Sequence, residues 1–302
     1  MEGDGILKTL NEYLRERFGC KVYKIALDGG FTCPNRDGTK GTGGCIFCSA
    51  GGSGEFAADR NKDITGQIEE AKTRVSAKMK NITNGKYIAY FQAYTGTYAP
   101  VERLNKLYTE AIKHPDVVAV SIATRPDCLP DDVLDLLESI NRIKPVWIEL
   151  GLQTIHERTA EYIRRGYPLS IYDKAVKDLK LRGIEVIVHV ILGIPGETVK
   201  DMTDTVDYVV RSGADGIKLQ LLHILKGTDL AEEYAAGRIT VLSEDEYMNV
   251  LKACVSHIPD NVVIHRLTGD GDKRLLIAPQ WSGNKKHVLN RITKMLDTGQ
   301  LT

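Results

Sequence analysis

The sequence contains little that would mark a membrane-bound or secreted protein. None of its apolar runs reaches the ~18 residues that a bilayer-spanning helix needs. The segment Met1 to Gly5 lacks the basic and apolar parts of a secretory signal, and six cysteines in 302 residues are too few for a disulfide scaffold. We therefore expect a cytoplasmic protein without membrane contact, in a compartment that keeps thiols reduced.

The sequence also lacks an excess of charge of either sign. Lys and Arg together number 40, as do Asp and Glu, so the overall charge gives no indication of nucleic-acid binding. The end of the chain differs locally, because residues 261–302 hold seven Lys and Arg against three Asp. Such an excess is typical either of a solvated helix end or of a surface that contacts phosphates.

Cysteine is scarce but concentrated. Cys33, Cys45 and Cys48 lie in one glycine-rich segment with the spacing C-x11-C-x2-C. The composition predicts a loop, and cysteines gathered in one loop are typical of a metal site. Three thiolates would leave one iron of a four-iron cluster open to a small molecule, whereas zinc would need a fourth ligand. Candidates for that ligand, all distant in sequence, are Cys20, Cys128 and His189. Redox thiols without a metal are a third interpretation.

Predicted strands and helices alternate along the chain. The predicted strands cover residues 21–27, 87–91, 117–122, 146–150, 184–192 and 216–222, and the predicted helices cover 5–18, 64–82, 101–112, 131–140, 157–164, 170–182 and 199–212. Several strands are apolar on both faces, which is typical of parallel strands covered by helices. The pattern predicts an α/β fold, either a partial (β/α) barrel or a doubly wound sheet.

Polar residues follow each predicted strand. Ligands of parallel α/β folds bind at the carboxyl ends of the strands, and the cysteine loop leaves the first strand at that end. Glu149 lies inside an apolar strand, where its carboxylate needs a partner, and we expect a bound amine or Arg125. His189 is more typical of a hydrogen-bonded core histidine. The cysteines outside the loop, which are expected to be packed thiols, are Cys20, Cys128 and Cys254.

Together these features resemble the radical S-adenosylmethionine (SAM) superfamily, and within it the YtqA/YhcC branch of the Elongator-like group. The segments that carry the resemblance are 22–38, 90–95, 121–127, 149–153 and 266–270. The first cysteine gap is longer than in the commonest superfamily spacing, C-x3-C-x2-C, as it is in this branch. The resemblance implies a partial (β/α)6 TIM-like barrel of the radical SAM type over residues 21–230. An N-terminal helix in 1–20 would precede it, and a short C-terminal extension, 231–302, would follow.

The resemblance also implies cofactors and residue roles. Cys33, Cys45 and Cys48 would ligate a [4Fe–4S] cluster, whose open iron would bind the amino and carboxylate groups of SAM. The segment Gln92 to Thr95 stands where the superfamily binds the methionine amine, without the usual Gly-Gly-Glu. The implied SAM contacts are Gln92, Tyr94 and Thr95 at the amine, Thr124, Arg125 and Gln153 at the ribose and carboxylate, Gly193, Gly196, Leu222 and His223 at the adenine, and Glu149 and His189 in the same site.

For this branch the resemblance implies an enzyme that cleaves SAM to a 5′-deoxyadenosyl radical and modifies the wobble uridine of tRNA. The expected reaction converts 5-carboxymethylaminomethyluridine, often 2-thiolated, to the 5-aminomethyl form, ahead of a separate tRNA methyltransferase. An external donor such as flavodoxin or ferredoxin would supply the electron. The substrate contacts expected in the extension are Arg266, Lys273, Arg274, Lys285 and Lys286 at phosphates and Trp281 on a base. Alternatively, Trp281 packs against the barrel.

Two other functions fit the sequence. The first is a different radical reaction, the oxidative decarboxylation of a porphyrin-type small molecule. A methylthiotransferase would need a second three-cysteine cluster, and the remaining cysteines are scattered. The second is a non-catalytic RNA-binding protein held together by zinc, which would leave the polar segments at the strand ends without a role.

Overall fold

The fold is seen in a computed structural model that describes residues 7–79, 82, 84–269 and 271–297. Parts of the predictions lie outside these residues: positions 5 and 6 of the first predicted helix, positions 80 and 81 of the second, Asp270 of the 266–270 segment, and the ends of the chain at 1–4 and 298–302.

Seven parallel strands form one sheet that curls into a half-barrel, in the order β1-β2-β3-β4-β5-β6-β8. The strands are β1 Val22–Leu27, β2 Lys86–Phe91, β3 Val117–Thr124, β4 Val146–Gln153, β5 Glu185–Leu192, β6 Gly216–Leu221 and β8 Val263–Arg266. The short strands β7 (Ile224–Leu225) and β9 (Leu276–Ala278) form a separate antiparallel pair. The predicted α/β fold, a partial TIM-like barrel, is confirmed.

Helices cover the outer face of this sheet. They are α1 Leu10–Phe18, α2 Ile64–Met79, α3 Val101–Lys113, α4 Asp131–Asn141, α5 Glu157–Tyr162, α6 Leu169–Leu181, α7 Val199–Arg211, α8 Asp229–Ala235, α9 Glu244–Val255 and α10 Lys285–Asp297. Local signals set several ends: Thr9, Thr198 and Ser243 form capping boxes at the starts of α1, α7 and α9. Gly19 ends α1 in the left-handed conformation, with φ 64°. Among the described residues, no helix has both the length and the apolar character needed to cross a bilayer.

The sheet has one strand more than the sequence predicts. β8 pairs with β6, and the backbone N–H of Ile264 donates to Lys8 O at 2.9 Å, so the segment before α1 lies against the last strand. β8 has only four residues, and so short an apolar run shows no clear period. Part of the C-terminal extension therefore belongs to the sheet.

Apolar side chains close the amino-terminal end of the half-barrel. Ile88, Trp147 and Ile187 from the strands pack there with Leu14 of α1. Cys20 packs beside this cluster, and Cys128 and Cys254 are buried, as expected of packed thiols. This end is filled by side chains. A ligand would therefore enter the interior at the other end, where the strands have their carboxyl ends.

Candidate functional site

A cavity lies at the carboxyl ends of the strands, and the three loop cysteines face it. Ten of the twelve predicted SAM contacts line it as well: Gln92, Tyr94, Thr95, Thr124, Arg125, Glu149, Gln153, His189, Leu222 and His223. These residues come from segments far apart in sequence. The half-barrel therefore brings most of the predicted site to one place.

Short backbone hydrogen bonds fold the cysteine loop. The N–H of Arg36 donates to Cys33 O at 2.8 Å, and that of Cys48 donates to Cys45 O at 3.0 Å. The N–H of Gly44 donates to Asn35 O at 2.7 Å, which closes the long gap of the C-x11-C spacing by returning the chain beside its start. The Asn35 side-chain amide contacts the Cys45 sulfur at 3.5 Å and donates to the carbonyl of Arg164 at 2.7 Å.

The spacing of the sulfur atoms favours a cluster over a single zinc ion. Thiolates around tetrahedral zinc, with Zn–S bonds of about 2.3 Å, lie about 3.8 Å apart. In the described part of the chain, Cys33, Cys45 and Cys48 are not a group whose three ligand atoms all lie within 4.8 Å of one another. A four-iron cluster spaces its thiolates more widely, because each thiolate binds a different iron. The three thiols therefore fit a [4Fe–4S] cluster better than zinc.

The electrostatics of the thiols also suit a cationic group. Burial, assisted by the neighbouring Cys48, raises the pKa of Cys45 to about 12. Burial likewise raises the pKa of Cys48, which the nearby Arg36 opposes. Arg36 also braces the loop, because its Nη2 donates to Cys48 O at 2.9 Å and to Ser49 O at 2.6 Å. Bound iron would offset the cost of ionising the Cys45 and Cys48 thiols next to each other.

The segment after β2 contacts both the cysteine loop and the cavity. Tyr94 has a φ of 58°, and its hydroxyl donates to Ala50 O at 2.6 Å. Gly52 lies so close to the Tyr94 ring that a Cβ there would be 2.4 Å from it. Tyr94 therefore holds the loop in place, while Gln92 and Thr95 face the cavity.

Gln153 offers an unused hydrogen-bond acceptor to a ligand. Its φ of 71° is unusual for a residue other than glycine. Its Oε1 is buried and has no hydrogen-bond partner among the described residues. Leaving such an oxygen unpaired costs about 1–3 kcal/mol, and a ligand hydroxyl would remove that cost. This fits the predicted contact with the ribose of SAM, beside Thr124, whose hydroxyl lies 2.6 Å from that of Thr97.

Glu149 is paired differently from the prediction. Arg125 binds Asp127 instead, through Nε at 2.9 Å and Nη2 at 2.8 Å. The completely buried carboxylate of Glu149 accepts from Lys24 and Lys218. It also accepts from Ser121 Oγ, at 2.6 Å, and contacts His189 Nε2 at 2.7 Å. The predicted Arg125 partner is therefore wrong, because Arg125 already has an acidic neighbour two residues away.

The charges around Glu149 determine how this network titrates. Although burial alone would raise the pKa of Glu149, Lys218 and Lys24 hold it well below its usual range. Burial lowers the pKa of His189 to about 4, assisted by Lys218, so the imidazole is neutral. The contact between His189 and Glu149 agrees with the prediction that His189 is a hydrogen-bonded core histidine. Lys24 and Lys218 were not predicted as site residues, although a lysine inside an apolar strand can be recognised from the sequence.

Gly193 and Gly196, two of the residues expected at the adenine, lie outside the set that lines the cavity. They have φ of 86° and 87° in the turn between β5 and α7, and a Cβ on Gly193 would lie 2.9 Å from Leu242. Their glycine character is explained by the turn and by this close approach. Leu222 and His223, expected beside them, do line the cavity.

The predicted substrate residues divide into three groups. Arg266 lines the main cavity. Lys273, Arg274 and Lys285 line a second cavity, which shares His223, Gly269 and Gly271 with the first. Lys286 is exposed and lies outside both. Arg274 binds Asp272 at 3.0 Å, which reduces its availability to phosphates.

Trp281 packs against the protein, as in the second of its two predicted roles. Its Nε1–H donates to Leu242 O at 3.1 Å, and its ring lies 5.6 Å from that of Tyr247. Phe56 is the more exposed aromatic: it lines the second cavity and is 44% exposed. It was missed because a single Phe in a glycine-rich loop gives no periodic signal.

Comparison with known proteins identifies the family. Residues 36–209 match the Radical SAM superfamily and residues 214–298 match the Radical_SAM C-terminal domain. YtqA of Bacillus subtilis (strain 168) is 49% identical over 289 residues, which is 96% of this chain and 89% of YtqA. The tRNA uridine(34) acetyltransferase of Methanocaldococcus jannaschii is 26% identical over 160 residues, 51% of this chain and 28% of that protein.

A solved structure shows the same fold. The Elp3 of Methanocaldococcus infernus superimposes with a TM-score of 0.67 at 18% identity, covering 91% of this chain and 63% of that one. The family uses a [4Fe–4S] cluster and SAM, and the thiols and the acceptor of Gln153 fit both. The non-catalytic, zinc-held alternative is therefore wrong. The chain is an enzyme of the radical SAM superfamily and belongs to the YtqA/YhcC branch of its Elongator-like group.

Proposed function

We propose that this enzyme converts 5-carboxymethylaminomethyluridine, with or without a 2-thio group, to 5-aminomethyluridine at the wobble position of tRNA. The similarity to a tRNA uridine(34) acetyltransferase over half of the chain supports tRNA as the substrate. The second cavity is the structural observation that supports the proposal, because it shares His223, Gly269 and Gly271 with the cofactor cavity and has basic side chains in its lining.

The lining of the second cavity suits a nucleic acid. Lys273 and Lys285 would contact phosphates, and Phe56 would stack on a base beside the wobble nucleotide. His223, Gly269 and Gly271 form the passage between the cavities. A Cβ on Gly269 would lie 2.4 Å from the His223 ring, so glycine is needed for this close approach. An extruded uridine would enter through it.

The proposed chemistry removes a two-carbon unit. The cluster and SAM supply a 5′-deoxyadenosyl radical when bound. In our hypothesis it takes a hydrogen atom from the carboxymethyl CH2. The substrate would then lose one further electron, for which the bound cluster would be the acceptor, and water would cleave the resulting imine to the aminomethyl group and glyoxylate. The chain's own residues position the side chain and keep competing hydrogen donors away.

We also propose roles for the parts of the chain and for the proteins that act with it. We assign residues 231–302 as the extension that contacts tRNA, following the radical SAM core over 21–230 and the N-terminal segment 1–20. Flavodoxin or ferredoxin would provide the electron, and a tRNA methyltransferase would act on the aminomethyl product. Since tRNA and these carriers are cytoplasmic, we propose the cytoplasm as the place of action.

The test is a single-turnover assay with a defined tRNA. Reconstituted enzyme, SAM and a reductant are incubated with tRNA that carries the carboxymethylaminomethyl group, and nucleosides are measured by mass spectrometry. We expect aminomethyluridine, 5′-deoxyadenosine and glyoxylate in equal amounts, and none with the Cys33→Ala variant. Deoxyadenosine without aminomethyluridine would contradict the proposed substrate and favour a small-molecule reaction such as porphyrin-type decarboxylation.

A further inference from the structure

The carboxyl end of β4 has an unusual backbone conformation. Its register against β5 shifts between Gly151 and Gln153, so β4 contains one extra residue there and forms a bulge. Gln153 has a φ of 71°, in the left-handed region that residues with a Cβ rarely adopt. A bulge can re-aim a side chain next to an active site. Here that side chain is Gln153, which lines the cofactor cavity.

Two hydrogen bonds hold this part of the backbone, one on each side of Gln153. The Tyr167 hydroxyl donates to Gly151 O, before Gln153 in the chain. Arg165 Nη1 donates to Thr154 O, after Gln153, at 2.7 Å. A backbone in a sparsely populated region persists only where its surroundings fix it firmly. These two bonds therefore help Gln153 to keep its positive φ.

Tyr167 is itself fixed in place. It is 6% exposed, and the guanidinium carbons of Arg165 and Arg125 lie 4.8 and 5.2 Å from the centroid of its ring. The backbone beside it is tied to the cysteine loop, because Lys40 Nζ donates to Gly166 O at 3.2 Å. A side chain held in this way can serve as a rigid support for the bulge of β4.

Tyr167 also lines the cofactor cavity, but its hydroxyl hydrogen is already used. A phenol has one hydrogen to donate, and that of Tyr167 goes to Gly151 O. The buried Oε1 of Gln153, in contrast, has no hydrogen-bond partner among the described residues. The acceptor that a ligand would meet is therefore that of Gln153, and Tyr167 acts through the position of this oxygen.

We propose that Tyr167 is a positioning residue for SAM, whose hydroxyl holds the bulge of β4 so that Gln153 Oε1 meets a ribose hydroxyl. This role rests on the predicted contact between Gln153 and the ribose, not on the tRNA reaction. A ribose hydroxyl can donate to this oxygen, whereas the carboxylate of SAM cannot. Without the Tyr167 hydroxyl, the backbone would relax from the positive φ, and the oxygen would leave the place that suits the ribose.

The test measures SAM binding without RNA and without turnover. Holoenzyme that carries the cluster, with no reductant present, is titrated with SAM by calorimetry. Tyr167→Phe keeps the ring and removes the hydroxyl, and we expect the dissociation constant for SAM to rise about five- to tenfold, the size of one hydrogen bond. The matched control is Tyr172→Phe, since this buried hydroxyl lies 2.8 Å from Ser212 Oγ, outside the lining of the cavity. It should bind SAM as the wild type does.

Two further measurements separate positioning from a merely structural role. The first is a double-mutant cycle, in which Tyr167→Phe should weaken SAM binding by less than about twofold once Gln153→Ala is present. The second uses a SAM analogue whose ribose lacks the 2′- and 3′-hydroxyls. The wild type and Tyr167→Phe should bind this analogue equally, because it has no hydroxyl to donate to Gln153.

Unchanged SAM binding by Tyr167→Phe would overturn this role. A loss that stays complete in the Gln153→Ala background, or that is equally large for the analogue, would also overturn it, because Tyr167 would then act without Gln153. Loss of the cluster from Tyr167→Phe would assign the residue to the cysteine loop instead. Since no RNA is present, these results are independent of the wobble-uridine assay, whose failure would contradict the proposed function alone.

Discussion

Lys24 of β1 and Glu149 of β4 form an ion pair across the interior of the half-barrel, between positions 125 residues apart in sequence. The pair links the strand that delivers the cysteine loop to the strand that carries Gln153. Both side chains are removed from bulk water, and Lys218 joins the same carboxylate. A buried pair of this kind contributes mainly through the cost of breaking it.

Replacing Glu149 should therefore be strongly destabilising. Glu149→Gln leaves Lys24 and Lys218 buried without a counter-charge, and we expect the free energy of unfolding to fall by about 3–5 kcal/mol. Urea denaturation of the purified protein measures it. The control is Glu138→Gln, which removes an exposed pair with Arg142 and should cost less than about 1 kcal/mol. If both variants lost the same small amount of unfolding free energy, Lys24 and Lys218 would be neutral in the folded protein.

Replacing a cysteine of the loop should abolish iron binding, whereas replacing a cysteine of the core should not. Cys33→Ala, Cys45→Ala and Cys48→Ala should each lose the cluster and its visible absorption, because three thiolates are needed to hold it. The wild type should bind near four irons per chain. The buried Cys254 belongs to α9 and packs in the apolar core, so Cys254→Ala should keep the wild-type iron content. Iron and sulfide analysis after anaerobic reconstitution provides the measurement, and a retained cluster in Cys48→Ala would contradict the ligand assignment.

The lowered pKa of Lys218 predicts a pH dependence of stability. The groups around its ammonium are Glu149 of β4, Lys24 of β1, His189 of β5, Arg266 of β8 and the Tyr90 hydroxyl of β2. The pKa of Lys218 is about 7 in the folded protein, where burial lowers it, and 10.5 in the unfolded chain. Between pH 7 and pH 10.5 the unfolded chain therefore binds more protons than the folded protein.

Stability should therefore rise with pH above about 7, by roughly 1 kcal/mol per pH unit. Below pH 7 Lys218 is protonated in both states, and its contribution to the slope disappears. Urea denaturation from pH 6 to pH 9, for the wild type and Lys218→Met, measures the difference between their slopes. Parallel curves would show that Lys218 keeps its ordinary pKa.

The two adjacent lysines at the start of α10 should differ in RNA binding. Lys285 lines the second cavity and Lys286 does not, although both are exposed. Lys285→Glu should weaken tRNA binding and flatten its dependence on salt by about one phosphate contact, while Lys286→Glu should do much less. Binding curves at several salt concentrations test this. Equal effects would mean that charge near the site matters more than the cavity.

The cysteine loop and the positions of six strands were predictable because their signals are local. The spacing of Cys33, Cys45 and Cys48 and the apolar runs of the strands are read within short windows. Parallel strands then bring their carboxyl ends to one edge, so residues such as Thr124 and Gln153 follow without further information. Ten of the twelve expected SAM contacts and the three loop cysteines line the cavity.

The sequence alone determined a parallel α/β fold with a three-cysteine loop at the carboxyl end of its first strand, and its resemblance to the radical SAM superfamily implied the partial barrel. Only the tertiary structure decided which partner Glu149 takes, that β8 joins the sheet, and that Trp281 packs inward while Phe56 faces the second cavity. Such choices depend on contacts between residues distant in sequence, where several partners have similar local chemistry. Packing and the cost of burying charge select among them, and neither is visible in a short window of residues.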